Sequence, residues 1–185
     1  DTHGQFHRRR QELPTLPPVG EPDSDALADV SFSAEVPVPA VEFELPRAGY
    51  EAARARLDSF IEDGIESYNS SRDDMAAYVA RPTNSVSMLS PYLAAGNIGI
   101  RETHRAASEA HERATSRARK EVDKYRYELT WREHNYYLLY HHPTLLSENY
   151  KSFPNEIAWR DDDDGFEAWT RGKTGYPFVD AGMRQ

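Results

Sequence analysis

Residues 125–133 carry the side chains best suited to binding a flat, polar ligand. They lie in a long segment without proline or glycine, which predicts a helix. Four of them are spaced i, i+3, i+6 and i+7: Tyr125, Glu128, Trp131 and Arg132. We therefore expect one helix face to present two aromatic rings, a carboxylate and a guanidinium, which together can stack on a ring and hydrogen-bond to its edge. The alternative is a structural helix, with Glu128–Arg132 as an ordinary ion pair and Trp131 in the core.

A second block gathers hydroxyl groups ahead of an apolar helix. Residues 87–93 read Ser-Met-Leu-Ser-Pro-Tyr-Leu, and Ser90 followed by Pro91 predicts a serine N-cap with proline at the first helical position. Hydroxyls and free backbone N–H groups at a helix N-terminus favour an anion such as a phosphate. The alternative is an ordinary serine cap. A third block, residues 173–185, is a Gly-Tyr-Pro turn into an amphipathic helix and indicates by itself only a turn.

Composition and spacing exclude several classes of site. The chain has no cysteine, which removes disulfides, thiolate metal sites and iron–sulfur clusters. The acidic run at residues 161–164 does not fit a calcium loop, because Arg160 and Arg171 would fall at its first and last ligand positions. The histidines form no His-Glu-x-x-His motif, and there is no glycine-rich nucleotide loop. The sequence therefore predicts no metal, and redox chemistry only through a bound organic cofactor.

The charge balance bears on possible partners. A formal net charge of -9 and a pI near 5.3 count against nucleic acid, because duplex binding rests largely on cations that neutralise phosphates. The argument is weak, since a basic groove can lie on an acidic protein and the cations here are mostly arginines, which suit bidentate phosphate contacts. No apolar run is long enough for a membrane span, and there is no signal peptide, so we expect a cytoplasmic protein.

The elements that position these blocks are predicted to be helical. Residues 1–45 are proline-rich without a helical period, which predicts an extended linker or arm, and the only strand-like alternation, within residues 30–44, is interrupted by prolines. Helices are predicted over residues 47–68, 90–95, 100–115, 117–141, 166–171 and 179–185, with a polar break at 69–72, a short helical patch at 75–79 and a loop at 81–85. The predicted fold class is all-α.

Taken in chain order, the blocks resemble the DNA photolyase and cryptochrome family. The resemblance is carried by Ser67-Tyr68-Asn69 with Arg72-Asp73, Leu89-Ser90-Pro91-Tyr92-Leu93, Glu128-Leu129-Thr130-Trp131-Arg132-Glu133, and Thr174-Gly175-Tyr176-Pro177 with Val179-Asp180-Ala181-Gly182-Met183-Arg184-Gln185. The coincidence of all of these is specific. It implies that residues 1–45 are the family's linker and that residues 46–185 are the first part of its helical FAD-binding domain.

The resemblance implies light-driven repair of DNA. In this family reduced FAD, excited by light, passes an electron to a cyclobutane pyrimidine dimer flipped out of the duplex; the dimer splits and the electron returns. The implied partners are FAD and UV-damaged DNA, without membrane or metal. A cryptochrome-like blue-light receptor without repair activity is one alternative, and a non-catalytic helical remnant is another. The sequence does not decide between DNA repair and blue-light reception.

The family's motifs also imply roles for individual residues. FAD contacts are implied at Tyr68, Ser87, Leu89, Ser90 and Tyr125, and DNA contacts at Arg72, Glu128, Trp131 and Arg132. Glu128 would hydrogen-bond to the dimer and Trp131 would stack on a pyrimidine, so the resemblance implies that these two are catalytic. The family's Thr-Ser and basic residue before Leu-Ser-Pro are replaced by Val86-Ser87-Met88, so one hydroxyl and one cation near the phosphates are lost. The alternative is that Thr83 or Ser85 supplies the hydroxyl through a shifted loop.

Trp159 lies outside these blocks. Its spacing ahead of Ala168-Trp169-Thr170 resembles that of the exposed member of the family's tryptophan chain, which implies electron transfer to FAD through Trp159. The alternative is a surface tryptophan without a redox role. Trp169 either belongs to the same chain or simply packs.

Overall fold

The structure is a computed structural model that describes residues 2–20, 23, 25, 47–74 and 85–184. Every regular element in these residues is a helix or a 3-10 turn, which confirms the all-α prediction. The chain divides into two compact units, residues 1–138 and 139–185. The strand-like segment within residues 30–44, the patch at 75–79, the loop over 81–84 and the predicted boundary between residues 45 and 46 lie outside the described residues.

Among the described residues, six helices lie in or begin in the first unit. They are α1 (His3–Gln11), α2 (Tyr50–Asp63), α3 (Tyr68–Ser71), α4 (Ser90–Ala94), α5 (Ile100–Arg113) and α6 (Ser116–His141), with a 3-10 turn at Ile65–Ser67. The predictions for α2, α4, α5 and α6 are confirmed, and no helix end is shifted by more than five residues. Two details were wrong: α3 is a helical turn where a polar break was predicted, and Leu89 rather than Ser90 is the N-cap of α4.

The prediction of an extended arm is wrong for residues 3–11, which form α1. Its first turn is closed by the Thr2 backbone N–H, which donates to Gln5 Oε1 at 3.0 Å, and the prolines begin only after the helix has ended. The α1 helix packs on α6 through polar and aromatic groups, including the ion pair Arg10 Nε–Glu133 Oε2 at 2.6 Å. Because it uses few aliphatic residues, it leaves no hydrophobic period in the sequence. Residues 14–20 have no regular structure.

The core of the first unit lies between α2, α5 and α6. One face of α6 buries Ala118, Val122, Tyr125 and Leu129 at helical spacing, against Ala107 and Ala110 of α5 and against Phe60 and Ile65. A second cluster joins α2 to α4 and contains Ala53, Leu57, Leu89, Tyr92, Leu93 and Ile98. Small residues on α5 let the helices approach closely, and each large buried side chain contributes about 1.5–3 kcal/mol of transfer free energy.

The second unit is built from short elements. After 3-10 turns at Pro143–Leu146 and Phe153–Glu156, it contains α7 (Asp163–Thr170) and α8 (Pro177–Arg184), close to the helices predicted at 166–171 and 179–185. Asp162 caps α7 by accepting a hydrogen bond from the Gly165 N–H at 2.9 Å. Gly172 then turns the chain with a φ of +58°, in the left-handed region that favours glycine. In the described part of the chain, no helix combines the length and apolar character needed to cross a bilayer.

Candidate functional site

A groove of about 510 Å³ lies along α6 in the first unit. Its lining combines one side of α6 with the end of the α2–α3 region and the loop that leads into α4. The lining residues are Tyr68, Ser87, Leu89, Ser90, Leu93, Ala94, Tyr125, Glu128, Leu129, Arg132, Asn135 and Tyr136. The groove therefore contains all five residues predicted to contact FAD, together with two of the four predicted to contact DNA.

Two tyrosines form the inner wall of the groove, and the core holds them in place. The rings of Tyr68 and Tyr125 meet edge to face with centroids 5.1 Å apart, and Tyr125 also packs on Phe60 at 4.9 Å. Burial raises the pKa of the Tyr125 phenol to about 12. Its hydroxyl has no partner in good hydrogen-bond geometry among the described residues, although the Ser87 hydroxyl and the charge of Arg56 limit the rise. A buried donor without a partner is costly, and it can be satisfied by a ligand.

Arg56 holds the loop before α4 in place through two hydrogen bonds to its backbone. Its guanidinium Nε donates to the Ser87 carbonyl at 2.8 Å, and Nη2 reaches the Val86 carbonyl at 3.4 Å. Burial lowers the pKa of Arg56. Met88, next in the loop, has a φ of 52°, a strained value for a residue with a side chain. The loop thus has a fixed shape, and a cation lies beneath it even though the sequence lacks the family's basic residue.

Glu128 lies at the edge of the groove and is paired with two cations. Arg72 Nη1 is 2.6 Å from Glu128 Oε1, and Lys124 Nζ is 2.7 Å from the same oxygen. Burial raises the pKa of Glu128, but the ion pairs with Lys124 and Arg72 outweigh it, so the net pKa lies below its ordinary value. The carboxyl group is therefore ionised at neutral pH. The sequence-based alternative of an ordinary Glu128–Arg132 pair is wrong.

Arg132 has other partners. Its Nη2 donates to the Leu93 carbonyl at 3.3 Å, and its guanidinium lies 4.7 Å from the centre of the Tyr136 ring. Arg132 therefore braces α4 against α6 at the end of the groove. Arg72 also lies 5.6 Å from the centre of the Tyr68 ring, which links the cation of α3 to the groove wall.

Trp131 does not share the face of Tyr125, Glu128 and Arg132, contrary to the prediction. Six residues of α-helix correspond to a rotation of about 600°, which turns Trp131 about 120° away from Tyr125. It is 40% exposed, so the alternative of a core tryptophan is also wrong. Its ring stacks on His3 of α1, with centroids 3.5 Å apart and planes 7° apart.

Histidines surround that stacked pair. His7 Nδ1 lies 2.9 Å from Thr130 Oγ1, and the rings of His3 and His134 are 5.4 Å apart. Burial lowers the pKa of all three histidines, so they are neutral at pH 7. No group of three or more potential metal ligands occurs within the described ranges.

Trp159 and the third sequence block lie in the second unit. Trp159 is 74% exposed. In the third block, Asp180 closes the turn: its Oδ1 accepts from the Thr174 N–H at 2.8 Å and from Thr174 Oγ1 at 2.6 Å, and its Oδ2 accepts from the Gly175 N–H at 3.1 Å. The Thr174 hydroxyl and these N–H groups hold the pKa of Asp180 below its usual range. The polar groups of this Thr-Gly-Tyr-Pro segment therefore have a structural role within this unit.

Sequence reasoning missed four polar residues of the site, one of which, Asn135, lines the groove next to Tyr136. Lys124 lies four residues before Glu128, and Tyr136 lies four residues after Arg132, so the i,i+4 spacing could have indicated both contacts. Arg56 lies on a different helix from the loop that it supports, and no local spacing indicates that contact.

Comparison with known proteins identifies similar sequences and structures. Residues 125–185 match the family model described as the FAD binding domain of DNA photolyase. A deoxyribodipyrimidine photo-lyase of Halobacterium salinarum is 40% identical over 97% of this chain and 38% of its own length. A photo-lyase of the same name from Agrobacterium fabrum is 37% identical over 89% of this chain and 33% of its own length. The chain thus spans about two fifths or less of the curated relatives that it matches.

Two solved structures share the fold. A bacterial class III photolyase from Agrobacterium tumefaciens superimposes with a TM-score of 0.64 at 40% identity, over 74% of this chain and 27% of that one. A cryptochrome of Synechocystis sp. PCC6803 superimposes with a TM-score of 0.68 at 23% identity, over 84% of this chain and 33% of that one. At that lower identity, the second comparison bears on the fold alone.

Proposed function

The chain belongs to the DNA photolyase and cryptochrome family, and from that premise we propose that it takes part in light-driven repair of cyclobutane pyrimidine dimers with FAD as cofactor. One observation carries the proposal: five separately predicted FAD contacts and the predicted dimer contact Glu128 line a single groove.

The groove has the chemistry to hold part of a flavin dinucleotide. Ser87 and Ser90 offer hydroxyls and, with Leu89, border the loop that Arg56 fixes, so we assign the cofactor's phosphates to that end. Tyr68 and Tyr125 offer aromatic walls, and the Tyr125 hydroxyl, which lacks a partner in good geometry among the described residues, can hydrogen-bond to the cofactor. When bound and reduced, FAD would absorb light and supply the electron for repair.

Glu128 and Trp131 are the proposed contacts of the dimer. The ionised Glu128 only accepts hydrogen bonds, and a pyrimidine ring offers an N–H between two carbonyls. Trp131 is exposed enough to stack on a base, and because His3 covers one of its faces, the base would use the other. Both residues contact the substrate in this proposal, which makes them catalytic.

Arg72 and Arg132 are the proposed contacts of the DNA strand near the flipped dimer. Arg72 is one-quarter exposed at its side chain and already serves Glu128, so a phosphate would bind its remaining N–H groups. Trp159 is proposed to pass electrons toward FAD. Its exposure of 74% suits exchange with a reductant in solution.

Repair is tested by following thymine dimers in DNA under blue light and in the dark, with FAD-loaded protein. We expect light-dependent loss of dimers, slowed by about tenfold or more in Glu128→Gln, because a charged hydrogen bond is worth about 1.5–3 kcal/mol. Glu109→Gln, an exposed glutamate on α5, is the matched control. An FAD-loaded protein that leaves dimers intact in light would contradict repair and favour the blue-light receptor.

A further inference from the structure

Lys124 and Arg72 approach Glu128 from two different helices and meet at one oxygen. Lys124 lies one turn before Glu128 on α6, with Nζ 2.7 Å from Oε1, and Arg72 follows α3, with Nη1 2.6 Å from Oε1. Both cations come closest to the same atom of the Glu128 carboxylate, Oε1. The oxygens of this carboxylate are therefore not equivalent.

We propose that Lys124 is a positioning residue for Glu128: with Arg72 it holds Oε1, so that Oε2 is presented to the N–H of the pyrimidine in the dimer. The inference rests on the proposed function, because it names the ligand of that same carboxylate. Lys124 itself does not line the groove. It acts through Glu128, which does.

The surroundings of Glu128 explain why a second cation is needed to keep its carboxyl group ionised. Glu128 is about one-quarter exposed at its side chain, so burial favours the neutral carboxyl form, which cannot accept the N–H equally well. Arg72 is not available to Glu128 alone, since its Nε lies 3.3 Å from Asp73 Oδ1. Lys124 supplies the additional charge and also fixes the rotamer of Glu128 from within the same helix.

The other charged or titratable groups near Glu128 do not replace Lys124. Tyr68 and His3 interact with Glu128 electrostatically, and Asp73 lies beyond Arg72. His3 is neutral at pH 7 because burial lowers its pKa, and the pKa of Tyr68 is raised by burial, so neither contributes a charge at neutral pH. Among the described residues, Lys124 and Arg72 are thus the cations that pair with this carboxylate and keep it ionised.

The first experiment needs neither FAD nor DNA. The Glu128 carboxyl is followed by carbon-13 NMR as a function of pH in the unaltered chain and in Lys124→Met, Lys124→Arg and Lys120→Met. We expect the Glu128 pKa to rise in Lys124→Met, to stay close to that of the unaltered chain in Lys124→Arg, and to be unchanged in Lys120→Met, because Lys120 is exposed one turn earlier on α6. An unchanged pKa in Lys124→Met would overturn the positioning role.

The second experiment measures how strongly the FAD-loaded protein prefers dimer-containing DNA to undamaged DNA, from pH 8 to pH 5. The preference falls as Glu128 becomes protonated, and in Lys124→Met we expect it to fall at a higher pH, with about threefold weaker dimer binding at pH 6. Lys124→Arg should restore the profile. Uniform weakening on both DNAs at every pH would instead make Lys124 a phosphate contact and overturn the proposal.

The two experiments separate the inference from the proposed function. If the unaltered protein shows no preference for dimer-containing DNA, the proposed function fails, and the ligand named for Oε2 is wrong with it. The NMR titration still decides whether Lys124 holds the Glu128 carboxylate. If the pKa of Glu128 rises in Lys124→Met while the binding profile stays unchanged, Lys124 positions Glu128 but not for this ligand.

Discussion

Residues 47–138 and residues 139–185 are stabilised by different interactions. The first region has two clusters of buried apolar side chains, with Phe60, Leu57 and Val122 fully enclosed. In the second unit the only buried residues among those described are Gly172 and Asp180. Its order comes from a capped helix and a turn closed by Asp180. A packed core holds side chains in single rotamers, whereas hydrogen-bonded turns fix mainly the backbone.

This difference explains where the structure can support the proposed site. The groove residues Tyr68 and Tyr125 are part of the core, so their positions are set by packing. Trp159, Phe166, Tyr176 and Phe178 are all largely exposed, and within their unit no apolar core surrounds them. Site positions in the first region therefore depend on burial, and those in the second depend on local polar contacts.

The largest expected effect is the loss of stability in Phe60→Ala, which removes a large side chain from the core. Phe60 is fully buried and packs on Tyr125, so we expect a loss of about 3–5 kcal/mol in the free energy of unfolding. Phe166→Ala is the control in the second unit, where the side chain is 63% exposed, and should change stability by about 0.5 kcal/mol or less. Urea unfolding measures both; equal losses would refute the contrast between the two regions.

Glycine replacements sharpen the description of the second unit. A Cβ on Gly172 would lie 2.8 Å from the Asp180 carbonyl oxygen, and its φ is +58°, so Gly172→Ala should destabilise the turn by roughly 1–2 kcal/mol. Gly182→Ala has open space within α8 and should stabilise that helix by about 0.5–1 kcal/mol. Amide exchange of residues 172–184 reports both signs, and faster exchange in Gly182→Ala would count against this description.

A smaller, pH-dependent effect is expected at α1, which is held to α6 mainly by polar and aromatic groups. The pKa values of His3, His7 and His134 lie below 6.5 in the folded chain, so the unfolded chain binds more protons as pH falls below 6.5. Docking of α1 is complete above that value and weakens between it and the lower folded pKa values. Amide chemical shifts of residues 3–11 from pH 7.5 to 5 should reveal the change.

The corresponding control replaces the buried histidine of α6. In His134→Gln the acid-induced change at residues 3–11 should be smaller, because one of the three titrating groups is gone while the Arg10–Glu133 ion pair remains. Chemical shifts that do not respond to acid in the unaltered chain would show that these histidines do not govern the docking.

The smallest stability effect is expected at the groove wall. Tyr125→Phe removes a buried hydroxyl that lacks a good partner in the described residues, so the chain without ligand should keep its stability or gain up to about 1 kcal/mol. Tyr140→Phe, at an exposed tyrosine near the end of α6, should be neutral. A clear loss of stability in Tyr125→Phe, measured by urea unfolding, would show that the hydroxyl is already satisfied within the protein.

Helical periodicity was enough to predict much of the fold, and the family motifs were enough to predict one wall of the groove. The α2, α5 and α6 helices follow from apolar spacing because their buried faces are aliphatic or aromatic. The α1 helix does not, because it docks through histidine and arginine side chains. Trp131 was placed on the wrong face, since i+6 does not share a face with i in a helix with 3.6 residues per turn.

Local sequence spacing does not predict contacts between side chains of different helices. The pattern of α6 offers Arg132 as a partner for Glu128, whereas the structure supplies Arg72 from the end of α3 and Lys124 from the opposite direction along α6. Arg56 beneath the Ser87 loop is a contact of the same kind. Such pairings are decided by the packing of helices and not by any one segment of sequence.

Binding of FAD to the groove is tested most directly by titrating the protein with FAD and recording the visible absorption of the bound flavin. The account predicts that FAD binds, that Tyr125→Phe weakens binding by about fivefold because a hydrogen bond of about 1 kcal/mol is lost, and that Tyr140→Phe binds as the unaltered protein does. Equal affinities in all three proteins, or no bound flavin in the unaltered one, would contradict the assignment of this groove to the cofactor.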